Sequence, residues 1–408
     1  MDLELDSDLR SFQDEIRTFL AEHRIEELAG FDPLPGYAGQ ADADGGGADL
    51  AAAWRAWEQI LADHRLICPQ WPEDGGGRGL SGVEMAVLNE EFDRAGMPRV
   101  VRGMGESLVG PSVIVHGTHE QRARLLPRII DGTDRYCQGF SEPDHGSDLG
   151  AVDTRGVVDG DEIVLTGQKV WTSGAHQANT MFVLCRTDPD APKHRGLSYV
   201  LVPMRRADGS PNGIELQPLR QMSGASGFCQ EHIDGARAPL DNVIGGLNNG
   251  WRVAMTTLGN ERGGRATTQH LRYERELWDL VETTRELGHA SDPLVRQDLA
   301  WAYTHVQLMR YSGLRLLATL AAQKEPGPEA SVNKLFWSEY HKRFGEIAVG
   351  LLGARALVRP EGPGYATGRW QQAFLGSRAG TIFSGTSQIQ RNIIGERALG
   401  LPKEPVVG

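Results

Sequence analysis

Apolar residues recur along the chain with two different periods, and the change between them divides it. Phe12, Ile16, Phe19 and Leu20 repeat at i, i+4, i+7 and i+8, so the chain is predicted to open with an amphipathic helix. Phe31 to Asp49 carries Pro33, Pro35, Gly36 and the run Gly45-Gly46-Gly47 and reads as a mobile loop. Helical spacing returns from Leu50 to Leu126, broken by WPEDGGGRGLSG, Trp71 to Gly82. That break lacks phosphate-loop spacing and a following Lys-Ser/Thr, so it reads as a connector.

Near Asp131 the period shortens. VVDGDEIVLTGQKVWTS reads as a hairpin turning at Asp159-Gly160. TMFVLCRT, LSYVLVPM and GIELQPL follow as strands rich in β-branched and aromatic residues. From Asn242 helical spacing resumes nearly to the end, with Val332, Leu335, Phe336, Phe344, Ile347 and Leu351 predicted as one buried stripe. Helices, a strand block and helices again make an α+β chain. The expected domains are 1–132 (helical), 133–241 (β) and 242–408 (helical), with no internal repeat.

A length of 408 residues suits a large core and two or three domains. The formal net charge of −12 argues against nonspecific nucleic-acid binding or adhesion to anionic lipid. Cys68, Cys137, Cys185 and Cys229 are far apart, with no C-x-x-C and no metal-ligand spacing. Reduced thiols in a cytoplasmic protein are therefore expected, with no metal site. The start, MDLELDSDLRSF, is acidic and carries no secretory pattern, and no apolar run approaches the length of a membrane span.

Candidate chemistry collects in four stretches. In WRVAMTTLGNERGGRA, Trp251, Met255 and Leu258 are predicted to line a buried helical face, with Glu261 at its edge beside Gly263-Gly264. Each glycine weakens a helix by about 1 kcal/mol relative to alanine but leaves room against the backbone. A carboxylate at the rim of an apolar wall suits a general base; a solvated surface glutamate fits the same spacing. YCQGFSEPDHGSD, Tyr136 to Asp148, supplies the Ser141 and Ser147 hydroxyls and backbone amides around Gly146, or else a turn bonded to itself. His145 reads as a loop histidine. In QKVWTSG, Trp171 followed by Thr172 and Ser173 suits a planar, heteroatom-rich ring, or a core indole with solvent-facing hydroxyls. TIFSGTSQIQR resembles a capped helix start offering several donors.

Taken in order, SEPDHGSD, KVWTSG, the Glu261-Arg262 pair and GTSQIQR make the chain resemble the acyl-CoA dehydrogenase family over nearly its whole length; the WPEDGGGRGLSG connector is similar too. The resemblance implies an N-terminal helical domain, a central β-barrel-like domain and a C-terminal four-helix bundle. It also implies a bound FAD, α,β-dehydrogenation of an acyl-CoA thioester, and electron transfer to an electron-transferring flavoprotein. By the same resemblance Phe140 and Ser141 touch the flavin ring, and Ser147 meets flavin and the pantetheine arm. Trp171 shields one flavin face, Thr172 and Ser173 bond its N5 side, Thr386 and Gln388 hold the FAD, and Arg262 contacts CoA.

Two departures refine that reading. Many family members carry the catalytic glutamate immediately before GTSQ, where this chain has Ser384, which has no basic form near neutrality. A branch of the family, including enzymes for branched or bulky acyl chains, resembles this sequence in using a glutamate on the Glu261 helix, so Glu261 becomes the expected base. The Ser384 N–H remains available to the thioester carbonyl. The family's Arg-x-x-Phe-Gly segment, which reaches a neighbouring subunit's FAD, is missing from ELGHASDPLVRQDLAWAY, and Gly350 stands where a Gln is usual. Both lost groups serve a neighbour. The expectation is a heteromer, α2β2, with a homologous partner, rather than a homo-oligomer; actinobacterial pairs acting on steroid side-chain CoA thioesters look similar. The rival readings are a flavin monooxygenase on the same fold and a non-catalytic subunit.

Overall fold

The computed structural model describes residues 6–30, 48–263, 269–321, 327, 330–358 and 368–403, with the backbone alone at 48, 261–263, 320, 321 and 330. The loop expected at 31–49 lies outside them except for its last two residues, which begin a helix.

Helix α1, Ser7–Glu22, starts where the Asp6 side chain accepts from the Leu9 N–H at 2.9 Å, and buries Phe12, Ile16, Phe19 and Leu20 as expected. It is followed by α2 (Ala48–Asp63), α3 (Gly82–Ala95), α4 (Gly110–His116) and α5 (His119–Ile130). Reciprocal side-chain caps, Ser81 with Glu84 and Thr118 with Gln121, fix the starts of α3 and α5. The glycine-rich connector before α3 is a packed turn. Trp71 is 2% exposed, its indole N–H donates to the Glu106 carbonyl at 3.1 Å, and its ring lies where a Cβ on Gly110 would stand.

The β region holds β1 (Tyr136–Gly139), β2 (Arg155–Asp159), β3 (Glu162–Ser173), β4 (Thr180–Arg186), β5 (Leu197–Pro203), β6 (Ile214–Leu219), β7 (Phe228–Pro239) and β8 (Val243–Ile244). They form one sheet in the order β6-β7-β3-β2-β4-β5-β8, with β1 paired in parallel to β4. The hairpin turns at Gly160 as expected, with β2 antiparallel to β3. Both faces of β4 and β5 are covered. Phe182, Leu184, Tyr199 and Leu201 join the core beneath the helices, and Met181, Val183, Val200 and Val202 join a second core shared with β3 and β7. Burial on both faces explains why these strands read as continuous apolar runs rather than alternations.

Strand β7 has no counterpart in the sequence expectation. Its inward positions are Cys229, Glu231, Ile233, Ala236 and Ala238, too small and too polar to give an apolar period.

Helix α6, Gly250–Gly263, corrects part of the face expected for it: Trp251 and Leu258 pack at the edge of the core and Met255 turns out. The buried residues of the helix are Val253, Ala254 and Thr257, while Met255 is 38% exposed and Trp251 is half-buried against His194, ring centroids 4.3 Å apart. Small residues and a Thr257–Ser112 hydroxyl contact of 2.7 Å let this helix approach the others closely, so its bulkier residues move to the rim.

The remaining helices are α7 (Gln269–Glu286), α8 (Pro293–Ala321), α9 (Ala330–Leu352), α10 (Arg369–Gly380) and α11 (Ser387–Ile393). Tyr273, Leu277, Leu280, Val306, Met309, Tyr340, Phe344 and Trp370 build a core shared by α7, α8, α9 and α10. The stripe expected on α9 is borne out in part, with Phe336, Ile347 and Leu351 half-buried against this core. Val332 is 44% exposed and only Phe344 of the six is buried, whereas Lys334, Ser338, His341 and Ala348 face inward. Packing against α10 is close, since a Cβ on Gly345 would stand 2.8 Å from the Phe374 Cα of that helix. Among the described residues no helix is long and apolar enough to cross a membrane. By contacts the chain falls into two compact units, Met1–Gln217 with Phe228–Asn260, and Pro218–Gly227 with Glu261–Gly408.

Gly110→Ala forces a methyl into the Trp71 ring and should lower stability by about 1–3 kcal/mol. A reduced urea midpoint with an unchanged slope is the expected reading; an unaltered midpoint would show the connector to be loosely packed.

Candidate functional site

In the first unit the expected site residues sit at the ends of β1 and β3. A buried lysine joins those ends. Lys169 is 0% exposed, and its Nζ donates to the Phe140 carbonyl at 3.0 Å, the Leu184 carbonyl at 2.8 Å and the Glu142 carboxylate at 2.9 Å. Glu142 also accepts from the Asp153 and Thr154 N–H groups at 2.7 and 2.8 Å. Burial raises the Glu142 carboxyl, but Lys169 and those N–H groups outweigh it and hold the group below its ordinary range. Nearby, His145 contacts Asp153 at 3.2 Å.

Around this pair the predicted residues divide. The Phe140 ring is buried edge-on against Phe182 and Tyr199. Ser141 is half-buried, with its carbonyl bonded by the Val170 N–H at 3.0 Å; Ser147 is exposed on the following loop. Trp171 has φ +64° and is the extra residue of a bulge where β3 and β7 shift register between Val170 and Thr172. Its indole is 61% exposed and meets Phe228 edge-on. A core indole with solvent-facing hydroxyls is thus inverted. Thr172 is 1% exposed and donates to Glu231 at 2.6 Å, and Ser173 is half-buried on the outer side.

In the second unit the expected residues lie on one loop and the helix after it. Ser384 and Gly385 are left-handed, φ +52° and +86°, and the Thr386 hydroxyl caps α11 by accepting from the Ile389 N–H at 3.2 Å. Gln388 is exposed. A second buried lysine shapes this loop: Lys334 donates to the Gly380 and Gly385 carbonyls at 2.9 and 2.7 Å. Gln390 donates to the Ser384 carbonyl at 2.9 Å. The helix carrying Glu261 and Arg262 runs through Gly263, but the side chains of both lie outside the described residues.

Lys169, Glu142, Glu231, Lys334 and Gln390 were absent from the sequence expectation. The signal for the lysines was a charged residue at an inward position of a strand or helix, which reads as a lapse in the apolar pattern rather than as a tether.

The Acyl-CoA dehydrogenase N-terminal domain description matches residues 6–133, the middle domain 137–235 and the C-terminal domain 248–399. Acyl-CoA dehydrogenase IpdE1 of Mycobacterium tuberculosis is 41% identical over 97% of this chain and 99% of its own length. The chain belongs to the acyl-CoA dehydrogenase family. Acyl-CoA dehydrogenases are FAD-dependent oxidoreductases with helical, sheet and helical domains in that order, the order found here. Two similar solved structures are the Tcur3481-Tcur3483 steroid ACAD, with TM-score 0.76, 30% identity and coverage of 99% of this chain and 100% of that one, and the ChsE4-ChsE5 complex of Mycobacterium tuberculosis. The latter gives TM-score 0.73 and 26% identity, with coverage of 99% of this chain and 100% of that one. The residues described fit a flavin. In the first unit an outward indole stands beside a half-exposed hydroxyl at one strand end.

Lys169→Met leaves Glu142 buried without its cation and should cost about 3–5 kcal/mol, measured by chemical unfolding. The Glu142 carboxyl is held below its unfolded value of 4.5, so the stability it contributes is complete above that pH and is lost as pH falls through the lower folded value. Glu142→Gln should therefore remove part of the acid limb of the stability–pH curve; an acid limb identical to wild type would place the dependence on other carboxylates.

Proposed function

We propose that this chain catalyses α,β-dehydrogenation of an acyl-CoA thioester, with Glu261 as the base that removes the α-proton. The observation that carries this reading is the bulged, left-handed Trp171, an exposed indole held outward at a strand end. Non-glycine residues in that conformation cost energy and concentrate where a ligand is held. Trp171 would cover one face of the flavin, Ser173 and the backbone around Thr172 would lie toward its N5 side, and Phe140 and Ser141 would border the ring from the end of β1. Ser147 would meet flavin and pantetheine, and Thr386 and Gln388 would bind the cofactor. Bound FAD supplies the two-electron acceptor for the hydride that leaves Cβ.

The chain's own groups do the rest. Enclosure by thioester and flavin removes water from the Glu261 carboxylate, which raises its basicity above that of a solvated glutamate. Consecutive helical positions are separated by about 100°, so the reading assigns Arg262 to CoA rather than to neutralising its neighbour. The Ser384 N–H polarises the thioester carbonyl, which acidifies Cα without needing a side chain there. An electron-transferring flavoprotein would be the partner that carries the electrons onward.

The substrate class is a bulky or branched acyl-CoA such as a steroid side chain, a reading supported by the likeness to a steroid ACAD. The assembly is a heteromer, α2β2, whose homologous partner provides the cofactor contacts this chain lacks. Gly350 lies on the exposed side of α9 with open space where a Cβ would stand, which leaves the position open to a neighbour. The described likeness to a ChsE4-ChsE5 complex supports a two-chain assembly.

Glu261→Gln should lower kcat by roughly 10²–10⁴ while FAD content stays at the wild-type level. Ser384→Ala should change kcat only a few-fold, about 1 kcal/mol or less. Turnover by the Glu261→Gln complex at the wild-type rate would remove Glu261 as the base. For the assembly, the chain should purify with little FAD when expressed alone and with stoichiometric FAD when co-expressed with a homologous gene encoded beside it. Full occupancy of the lone chain would defeat the heteromer.

A further inference from the structure

Strict alternation along β3 does not permit the side-chain directions seen at its end. Lys169 points inward at 0% exposure, so a regular strand would send Trp171 inward and Thr172 outward. The register shift between Val170 and Thr172 reverses that parity. Behind the bulge lies Glu231 of β7, paired across the ladder with Lys169 and 0% exposed. It accepts the Thr172 hydroxyl at 2.6 Å through Oε2, and its other oxygen has no hydrogen-bond partner among the described residues.

We propose that the Thr172–Glu231 hydrogen bond is a register lock, with Glu231 as a positioning residue that keeps the β3 bulge in place and the Trp171 indole turned out toward the flavin. The lock rests on the flavin reading for its purpose, but its action on Trp171 is a property of the chain alone. Without the bond, sliding the bulge out would bury the indole and turn Thr172 to the surface. A buried carboxylate is costly unless bonded, so the arrangement with Thr172 inward is favoured as long as the hydroxyl is present.

The lock also has a pH dependence. Burial pushes Glu231 up to about 7, with the Thr172 hydroxyl and Lys169 pulling the other way. The other titratable groups facing it are the Cys137 thiol on β1 and the Cys229 thiol on its own strand, both raised by burial and so uncharged near neutrality. Because the folded value exceeds the unfolded 4.5, the contribution of this group to stability is greatest below that pH and is lost as pH rises through about 7. The ionised carboxylate is nonetheless the stronger acceptor for Thr172, so the lock tightens as fold stability falls.

The test uses the full chain in its assembled form and two independent readouts. The native cysteines are all buried, so Trp171→Cys introduces an accessible thiol whose maleimide labelling reports which way position 171 faces. Adding Thr172→Val should slow labelling about tenfold, the loss of one hydrogen bond to a charged group, while adding Thr172→Ser should leave it within about twofold. Unchanged labelling with Thr172→Val, or no rescue by Thr172→Ser, would overturn the lock. In the second readout, apo-protein with Trp171 intact is titrated with FAD across pH. Wild-type affinity should rise through pH about 7. Glu231→Gln keeps an acceptor for Thr172 and should bind FAD with no such step; a step that persists in Glu231→Gln would exclude Glu231 as its source. If Trp171→Ala binds FAD as wild type does, the flavin reading fails while the labelling result still decides the lock.

Discussion

The Lys169 ammonium, fully enclosed by the strands it joins, is the constraint on which the first unit depends. An ammonium removed from water needs several close acceptors, and here these are two main-chain carbonyls and a carboxylate. Phe140 is the residue after β1, Glu142 begins the polar loop beyond it and Leu184 belongs to β4, so one charge fixes the relative positions of three segments. Glu142 in turn accepts two N–H groups at the start of β2. The loop from Ser141 to Asp148 therefore keeps its shape without a hydrophobic anchor. The residues that border the cofactor in the proposed reading are carried on this tether rather than forming it.

The second unit solves a similar problem by the same means. The turn at Ser384-Gly385 is left-handed at both residues and leaves carbonyls that no helix or strand can satisfy. Lys334, on the inner face of α9, donates to the Gly385 carbonyl and to that of Gly380 at the end of α10, and Gln390 donates to the Ser384 carbonyl. The Lys334 ammonium also lies 6.0 Å from the Trp337 and Phe383 ring centroids. A loop shaped by tethered carbonyls keeps its amides pointing one way, which is what a site built on backbone groups requires.

Legibility in the sequence followed the apolar period closely. Helix α1, the β2–β3 hairpin, β4 and β5 were readable because large apolar residues mark their buried positions. Strand β7 was not, since its inward residues are cysteine, glutamate and alanines with a single isoleucine. The inner face of α6 was displaced from its large residues because close packing selects Ala and Thr, whereas on α9 Tyr340 and Phe344 stay inward and Lys334, Ser338 and His341 beside them break the apolar period. The motif around Trp171 suggested a planar-ring site from its residues, and family likeness named the ring as a flavin. The outward turn of its indole was not legible, because one bulged residue reverses every direction after it and leaves no mark in composition.

That distinction bears on how a serine can stand at 384 in an active enzyme. The turn there is held from its main chain by Lys334 and Gln390, with Gly385 left-handed beside it, so its form does not require a glutamate. Changing the side chain to a hydroxyl removes a base but keeps the N–H that meets the thioester in the proposed reading. In that reading the proton needs a different acceptor reached from a different element, and Glu261 of α6 is the carboxylate assigned to it. Separating the two tasks, carbonyl polarisation on a tethered loop and proton removal on a helix, gives each its own adjustment. A helix can move its carboxylate along or around its axis to suit a wider substrate without disturbing the amide that activates it.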